Sequence, residues 1–333
     1  SCRFHSQVTK KSPSYCFNDP MKSFKHPFFA ALLLVFSQTA FIGSTLATEM
    51  APVFNNSRYV LVDDVRLHVR DWAGNDSGLC PVLLVHGFAG STFSFRELAP
   101  ALAKAGHPVL AVDLPGYGYS QRSAFSGEAA MALWQLLERE KPGQSWCLLG
   151  HSMGAKLAGQ VAALKPDRVQ AIVYSDGSPL VSSERRKKWF SSPGFIRNAA
   201  INWIEKHYLN EKKFIEVLSQ AYARPATREE AQGYLKPLLL PGTVPAALSG
   251  YAKKWADDIK PSQINAIPSL IIWGDKDTWV KPEVGKTLAK NIPTAKFLMV
   301  PGAGHCPIET HFAKVLPNIL QTFSETPRTA KAR

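Results

Sequence analysis

The chain has 333 residues, 45% hydrophobic and 20% charged, with a formal net charge of +13. That is enough apolar material for a substantial core in one large domain or two medium ones, and it excludes a low-complexity chain. No internal repeat is visible, which sets aside repeat arrays.

In chain order, the first distinct segment is residues 21–47, MKSFKHPFFAALLLVFSQTAFIGSTLA. A basic start, an apolar stretch and small residues (Thr45, Ala47) form the layout of a secretory signal beginning at Met21. The stretch is also about long enough for a membrane anchor, although Ser37, Gln38 and Thr39 weaken that reading. Residues 1–47 are therefore set apart as a leader. The expected location is exported: periplasmic, secreted or anchored by this segment. Of the net charge, +4 falls in the leader, from five Lys/Arg against Asp19.

The remainder alternates strand and helix, which predicts a mostly parallel, doubly wound α/β sheet covered by helices on both faces. Residues 59–62 and 65–69 flank Asp63-Asp64 and read as a hairpin. Short apolar runs at 82–85, 109–112, 146–149, 171–174, 270–273 and 297–300 read as buried strands. Helical periodicity lies between them, at 92–105, 127–140, 153–164, 282–291 and 309–323.

Residues 180–260 break the rhythm. Trp189, Phe190, Phe195, Trp203, Tyr208, Phe214 and Tyr222 interleave with charges at helical spacing, without a buried strand. This predicts a helical cap inserted into a core made of 48–179 and 261–333, over the strand ends where open parallel sheets bind ligands. The segment carries 14 Lys/Arg against eight acids, including the run Arg185, Arg186, Lys187 and Lys188. Such a run reads first as a solvated face, with association to a lipid surface as the second reading. No nucleic-acid module accompanies it, so nucleic acid is not an expected partner. Cys80, Cys147 and Cys306 follow the leader. An odd number without close pair spacing indicates neither a disulfide framework nor a zinc site, and Cys147 reads as a small core residue.

The chemistry gathers at strand ends. CLLGHSMGA (147–155) runs from a strand through G-x-S-x-G into a helix-forming sequence, which places Ser152 on a sharp turn above a helix N-terminus. A serine nucleophile needs a base and an orienting acid. His305 lies on the glycine loop after the last strand (FLMVPGAGH), and Asp277 on the loop after SLIIWGDKD. Both reach the same sheet edge as Ser152. Asp176, at a neighbouring strand end, and Asp275 are alternative acids. The loop in LLVHGFAGS supplies backbone N–H groups, so Phe88 and Met153 are candidate oxyanion donors. His86 reads as a residue that shapes this loop by hydrogen bonding.

HGFAG, DLPGYGYS (113–120), GHSMG, GDKD and GAGH together resemble the α/β-hydrolase superfamily, in its lipase, esterase and C–C hydrolase branch with a helical cap. The likeness covers about residues 58–323. It implies Ser152 as nucleophile, His305 as base, Asp277 as its partner and Phe88 and Met153 as oxyanion donors, with no metal or organic cofactor. A serine at the elbow argues against the branches that use aspartate there. The family usually has Glu five residues after the catalytic histidine; Thr310 occupies that place and Glu309 precedes it, which bears on how the last helix is held. The expected activity is hydrolysis of carboxylic esters, of small molecules or lipids, by a monomer or weak homo-oligomer. C–C bond hydrolysis or perhydrolysis by the same residues is the alternative, and a non-catalytic ligand-binding homologue a more distant one.

Overall fold

Short runs of branched apolar residues build the sheet, because strands covered on both faces need apolar side chains in both directions. The computed structural model describes residues 53–75, 78–180, 194–252 and 258–325. The leader, the run Arg185–Lys188, and Trp189 and Phe190 lie outside the described residues. Among the described residues, no helix is long and apolar enough to cross a membrane.

The strands are β1 (Ser57–Val62), β2 (Val65–Trp72), β3 (Val82–Val85), β4 (Val109–Val112), β5 (Trp146–His151), β6 (Val169–Ser175), β7 (Ser269–Gly274) and β8 (Lys296–Val300). They form one sheet in the order β1-β2-β4-β3-β5-β6-β7-β8. β1 and β2 pair antiparallel, as do β2 and β4; the other neighbours are parallel. Asp63 and Asp64 both take positive φ in the β1–β2 turn, the backbone a tight hairpin turn demands.

The pleat of each strand feeds two cores. Leu83 and Val85 of β3 face one cluster, which is covered by α2 (Ala129–Glu140), α3 (Met153–Leu164) and α8 (Pro282–Asn291). Val82 and Leu84 face the other, covered by α1 (Leu98–Lys104) and α10 (Phe312–Phe323). The crossovers from β3 and from β5 thus place helices on opposite faces, the arrangement that leaves a crevice at the strands' carboxyl edge.

Among the described residues, four α-helices lie between β6 and β7: α4 (Gly194–Tyr208), α5 (Glu211–Tyr222), α6 (Arg228–Leu238) and α7 (Thr243–Ala252). Their starts are locally encoded. The Asn210 side chain caps α5 by accepting from Lys213 N–H, and Thr227 with Glu230 forms a reciprocal capping box on α6. Phe214, Leu218, Ala221 and Tyr222 line one face of α5 and pack on Tyr234, Leu235 and Leu238 of α6.

Two helices expected in one piece are divided. The stretch 92–105 is a 3₁₀ turn (Thr92–Phe95) followed by α1. Thr92 N–H donates to the buried carboxylate of Asp113, 2.6 Å away, which pins the turn to the β4 loop. The stretch 309–323 is a one-turn α9 (Pro307–Thr310) and then α10, separated at His311, which leaves helical geometry at φ −126°.

The cysteine reading needs correction. Cys80 and Cys147 form a disulfide, with Cα atoms 6.0 Å apart, so Cys147 is buried but not free. The two lie 67 residues apart in sequence, yet β3 and β5 are hydrogen-bonded neighbours, with Val82 opposite Cys147. Parallel pairing created a proximity that spacing could not reveal. Closing a loop of that length removes unfolded-state entropy worth about 4 kcal/mol. A Cys80→Ala/Cys147→Ala variant is therefore expected to show a clear drop in its denaturation midpoint, and dithiothreitol should lower the wild type but not the variant.

Candidate active site

β5 ends at His151, and the chain turns at once into α3. Ser152 occupies the corner at φ 52°, ψ −118°, a conformation that costs an L-residue about 1–3 kcal/mol and persists only when its surroundings enforce it. The enforcement is visible. Ser152 N–H donates to Ser175 O on β6 (2.8 Å). A Cβ on Gly150 would lie 2.3 Å from Gly154 O, and one on Gly154 would lie 2.2 Å from Val85 O. Only glycines allow helix and strand to approach this closely.

The parallel register sets Gly150 beside Tyr174, Ser175 beside Ile272 and Gly274 beside Val300. The loops after β5, β6, β7 and β8 therefore open at one edge. There the structure brings Ser152, His305 and Asp277 into one hydrogen-bonded chain. His305 Nε2 lies 2.9 Å from Ser152 Oγ, and His305 Nδ1 lies 2.7 Å from Asp277 Oδ2. A carboxylate only accepts, so Nδ1 carries the proton and Nε2 accepts from the serine hydroxyl. Asp277 Oδ1 in turn accepts the N–H groups of Trp279 (2.8 Å) and Val280 (2.9 Å). Asp277 and His305 are buried, while Ser152 is partly exposed.

The alternative acids fall elsewhere in the arrangement. Asp275 is exposed and accepts from Gly302 N–H (2.7 Å). Asp176 is fully buried at φ 48° and accepts from Gly274 N–H and Ser175 Oγ–H. Burial, and then the charge of Asp277, push its carboxyl well above the usual carboxylate range. Asp176, Asp277 and His305 place three ligand-type atoms within 4.8 Å of one another. Asp277 and His305 Nδ1 are already committed to the bonds above, and Asp176 to Gly274 and Ser175, so an ion there would have to displace existing partners.

Phe88 and Met153 flank the serine. Gly87, preceding Phe88, approaches so closely that a Cβ there would lie 3.0 Å from Ser152 Cβ. Met153 opens α3, whose first N–H groups have no intrahelical partner. His86 shapes this loop from within. Its Nδ1–H donates to Gly87 O (2.7 Å) and its Nε2 accepts from Leu114 N–H (3.0 Å). Burial pushes its imidazole below the usual histidine range. Phe88 and Trp279 pack against a cluster of Ile204, Tyr208, Val217, Val244 and Leu248 on helices between β6 and β7, so apolar and aromatic groups line this edge.

Three further residues emerge that the motifs did not single out for this site. Trp279 stands over His305, with ring centroids 5.4 Å apart. His151 meets His305 ring to ring, with centroids 5.0 Å apart. Glu309, read from sequence only as a holder of the last helix, is buried and accepts from Tyr222 Oη–H (2.8 Å) and Tyr234 Oη–H (2.6 Å) while paired with Arg96. It joins α9 to α5 and α6 as well as to Arg96.

A sheet with this crossover order, a serine on a strained strand–helix corner and a histidine–carboxylate pair behind it define the hydrolase class that uses a nucleophile elbow. The chain belongs to the alpha/beta hydrolase fold family, which it matches over residues 81–312. It is 25% identical over 270 residues to YugF, an uncharacterized hydrolase of Bacillus subtilis, covering 74% of this chain and 90% of that one. It is 28% identical over 246 residues to the pimeloyl-[acyl-carrier protein] methyl ester esterase of Klebsiella pneumoniae, covering 72% and 92%. Among solved structures, the meta-cleavage product hydrolase of Pseudomonas fluorescens shares the fold at a TM-score of 0.62 and 19% identity, covering 80% of this chain and 97% of that one.

Proposed function

We propose that this protein is a serine hydrolase of carboxylic esters with an apolar acyl group. The observation that carries the reading is the unbroken Asp277–His305–Ser152 hydrogen-bonded chain ending on a strained, partly exposed hydroxyl. His305 Nε2 takes the Ser152 proton as Oγ attacks the ester carbonyl, and Asp277 stabilises the imidazolium. The oxyanion is received by Phe88 N–H and Met153 N–H at the start of α3, where the helix dipole favours negative charge. Collapse expels the alcohol, protonated by His305. Water activated by the same histidine then attacks the acyl-serine, releasing the acid and restoring Ser152.

The likeness to a methyl ester esterase supports ester substrates, and the aromatic roof around Phe88 and Trp279 supports an apolar acyl chain. C–C bond hydrolysis by the same residues is the second reading, suggested by the fold shared with the meta-cleavage product hydrolase. Export of the mature chain is part of the proposal. The Cys80–Cys147 disulfide supports it, because such bonds persist in oxidising compartments.

The test is a panel of p-nitrophenyl esters from short to long acyl chains, with meta-cleavage products alongside, combined with fluorophosphonate labelling. Ester turnover and labelling of wild type but not of Ser152→Ala are expected. Uniformly absent ester hydrolysis would sink the esterase reading, and equal labelling of the variant would remove Ser152 as nucleophile.

A further inference from the structure

The His305 loop, GAGHC (302–306), lies between β8 and α9; Gly302 N–H and Ala303 O tie its start to Asp275 and Lys276, and the His305 backbone itself is set by two further bonds. Its peptide is gripped at both ends. The His305 N–H donates to Ala221 O in the cap at 2.6 Å, and the His305 carbonyl lies 2.8 Å from His151 Nε2. Resting on Ser152 and His305 acting as nucleophile and base, we propose that His151 is a positioning residue, which seats His305 against the nucleophile elbow by donating Nε2–H to its carbonyl.

The chemistry of the pair fixes its direction. A carbonyl can only accept, so Nε2 of His151 carries its proton. The ring is buried, with its centroid 5.0 Å from that of His305. Burial first, then the charge His305 acquires, hold the imidazole of His151 down at about 3. It therefore stays neutral while its neighbour gains and loses a proton in each turnover, and its bond to the loop does not depend on the state of the base. Because His151 immediately precedes Ser152, the same peptide segment that aims the nucleophile also aims the base. Errors in the two positions are thereby correlated, which preserves their separation.

The opposite grip comes from the cap. A Cβ on Gly304 would lie 2.2 Å from Ala221 O and 2.8 Å from Ala223 N, so this loop and the end of α5 meet backbone to backbone. Tyr222 of α5 and Tyr234 of α6 donate to Glu309 of α9, which directly follows the loop, and so hold its far end to the cap. With the amide held by the cap and the carbonyl by His151, loss of either removes one of the two bonds that fix the His305 backbone. A shift of about 1 Å in a reacting group costs on the order of 100-fold in rate.

The experiment compares wild type with His151→Leu and His151→Met, which fill the space without an N–H donor, and His151→Gln, whose amide reaches the Nε2 position. Folding of each is checked by circular dichroism, and both ester kinetics and the rate of fluorophosphonate labelling are measured. The expected result is a fall in kcat and labelling rate of about 10- to 100-fold in the Leu and Met variants. KM should stay within about twofold, since acyl contacts are untouched, and Gln should recover most of the loss. Wild-type rates in the folded Leu or Met variant, or a Gln variant as slow as they are, would overturn the positioning role and leave only packing. Wild type that neither labels nor turns over esters would instead remove the serine-hydrolase reading on which the role depends.

Discussion

Ser152→Ala is expected to lower kcat/KM on the best ester by a factor on the order of 10⁵ to 10⁶, and His305→Ala by a similar factor. Combining the two should add almost nothing. The reason lies in the unit they form: a hydroxyl without its base is a poor nucleophile, and the base without the hydroxyl has nothing to activate. Residual turnover, on the order of 10³ to 10⁴ over water, should survive in the double variant from oxyanion donors and binding alone. Alanine suits the test because Ser152 already sits at φ 52°. Its replacement removes Oγ without changing the backbone demand, so the elbow should persist. The measurement is steady-state kinetics with freshly purified variants, and wild-type contamination is limited by fluorophosphonate pretreatment. Losses that multiply across the double variant would show that Ser152 and His305 act independently, which contradicts their 2.9 Å contact.

Much of this arrangement is legible in the sequence, and the reason is local. The helices 153–164 and 282–291 and the strands 82–85 and 109–112 appear with the bounds that periodicity suggested, because apolar spacing and flanking Gly and Pro act within a few residues. Ser152, Asp277 and His305 stand in separate motifs, and loops after parallel strands must converge on one edge. What escaped depends on tertiary neighbours. The helix at 92–105 divides because Asp113, from the β4 loop, takes Thr92 N–H. Cys80 meets Cys147 because β3 and β5 are adjacent in the sheet.

His151 escaped for a related reason: it occupies the variable position of G-x-S-x-G, and only the path of the His305 carbonyl gives it a partner. Glu309 escaped in part, since its distance from His305 in sequence pointed to α10, whereas its side chain faces two cap tyrosines. The common thread is that motif reading locates groups that react, while the groups that aim them are found by asking where each backbone bond goes.

The choice of acid yields the second large effect. Asp277→Asn is expected to lower kcat by about 10³- to 10⁴-fold, whereas Asp176→Asn should change it by less than about tenfold. The argument turns on Asp277 Oδ1, which accepts two backbone N–H groups, from Trp279 and Val280. An asparagine must keep its carbonyl oxygen there, because an NH₂ group would face two donors. Its NH₂ then points at His305 Nδ1, which has to become an acceptor. Nε2 would carry the proton and could no longer receive one from Ser152, so the histidine sits in place with the wrong tautomer. Asp176 has no such leverage. Burial and the charge of Asp277 push its carboxyl well above the usual carboxylate range, towards the neutral form that an amide imitates. Its Oδ1 can still accept from Gly274 N–H, and the hydroxyl of Ser175 can rotate to accept from the new NH₂. Parallel kinetics on the two variants, with fluorophosphonate labelling rates as a substrate-independent readout, separate the cases. If Asp176→Asn proves the slower enzyme, the working acid belongs to the end of β6, and the 2.7 Å contact between Asp277 and His305 is only structural.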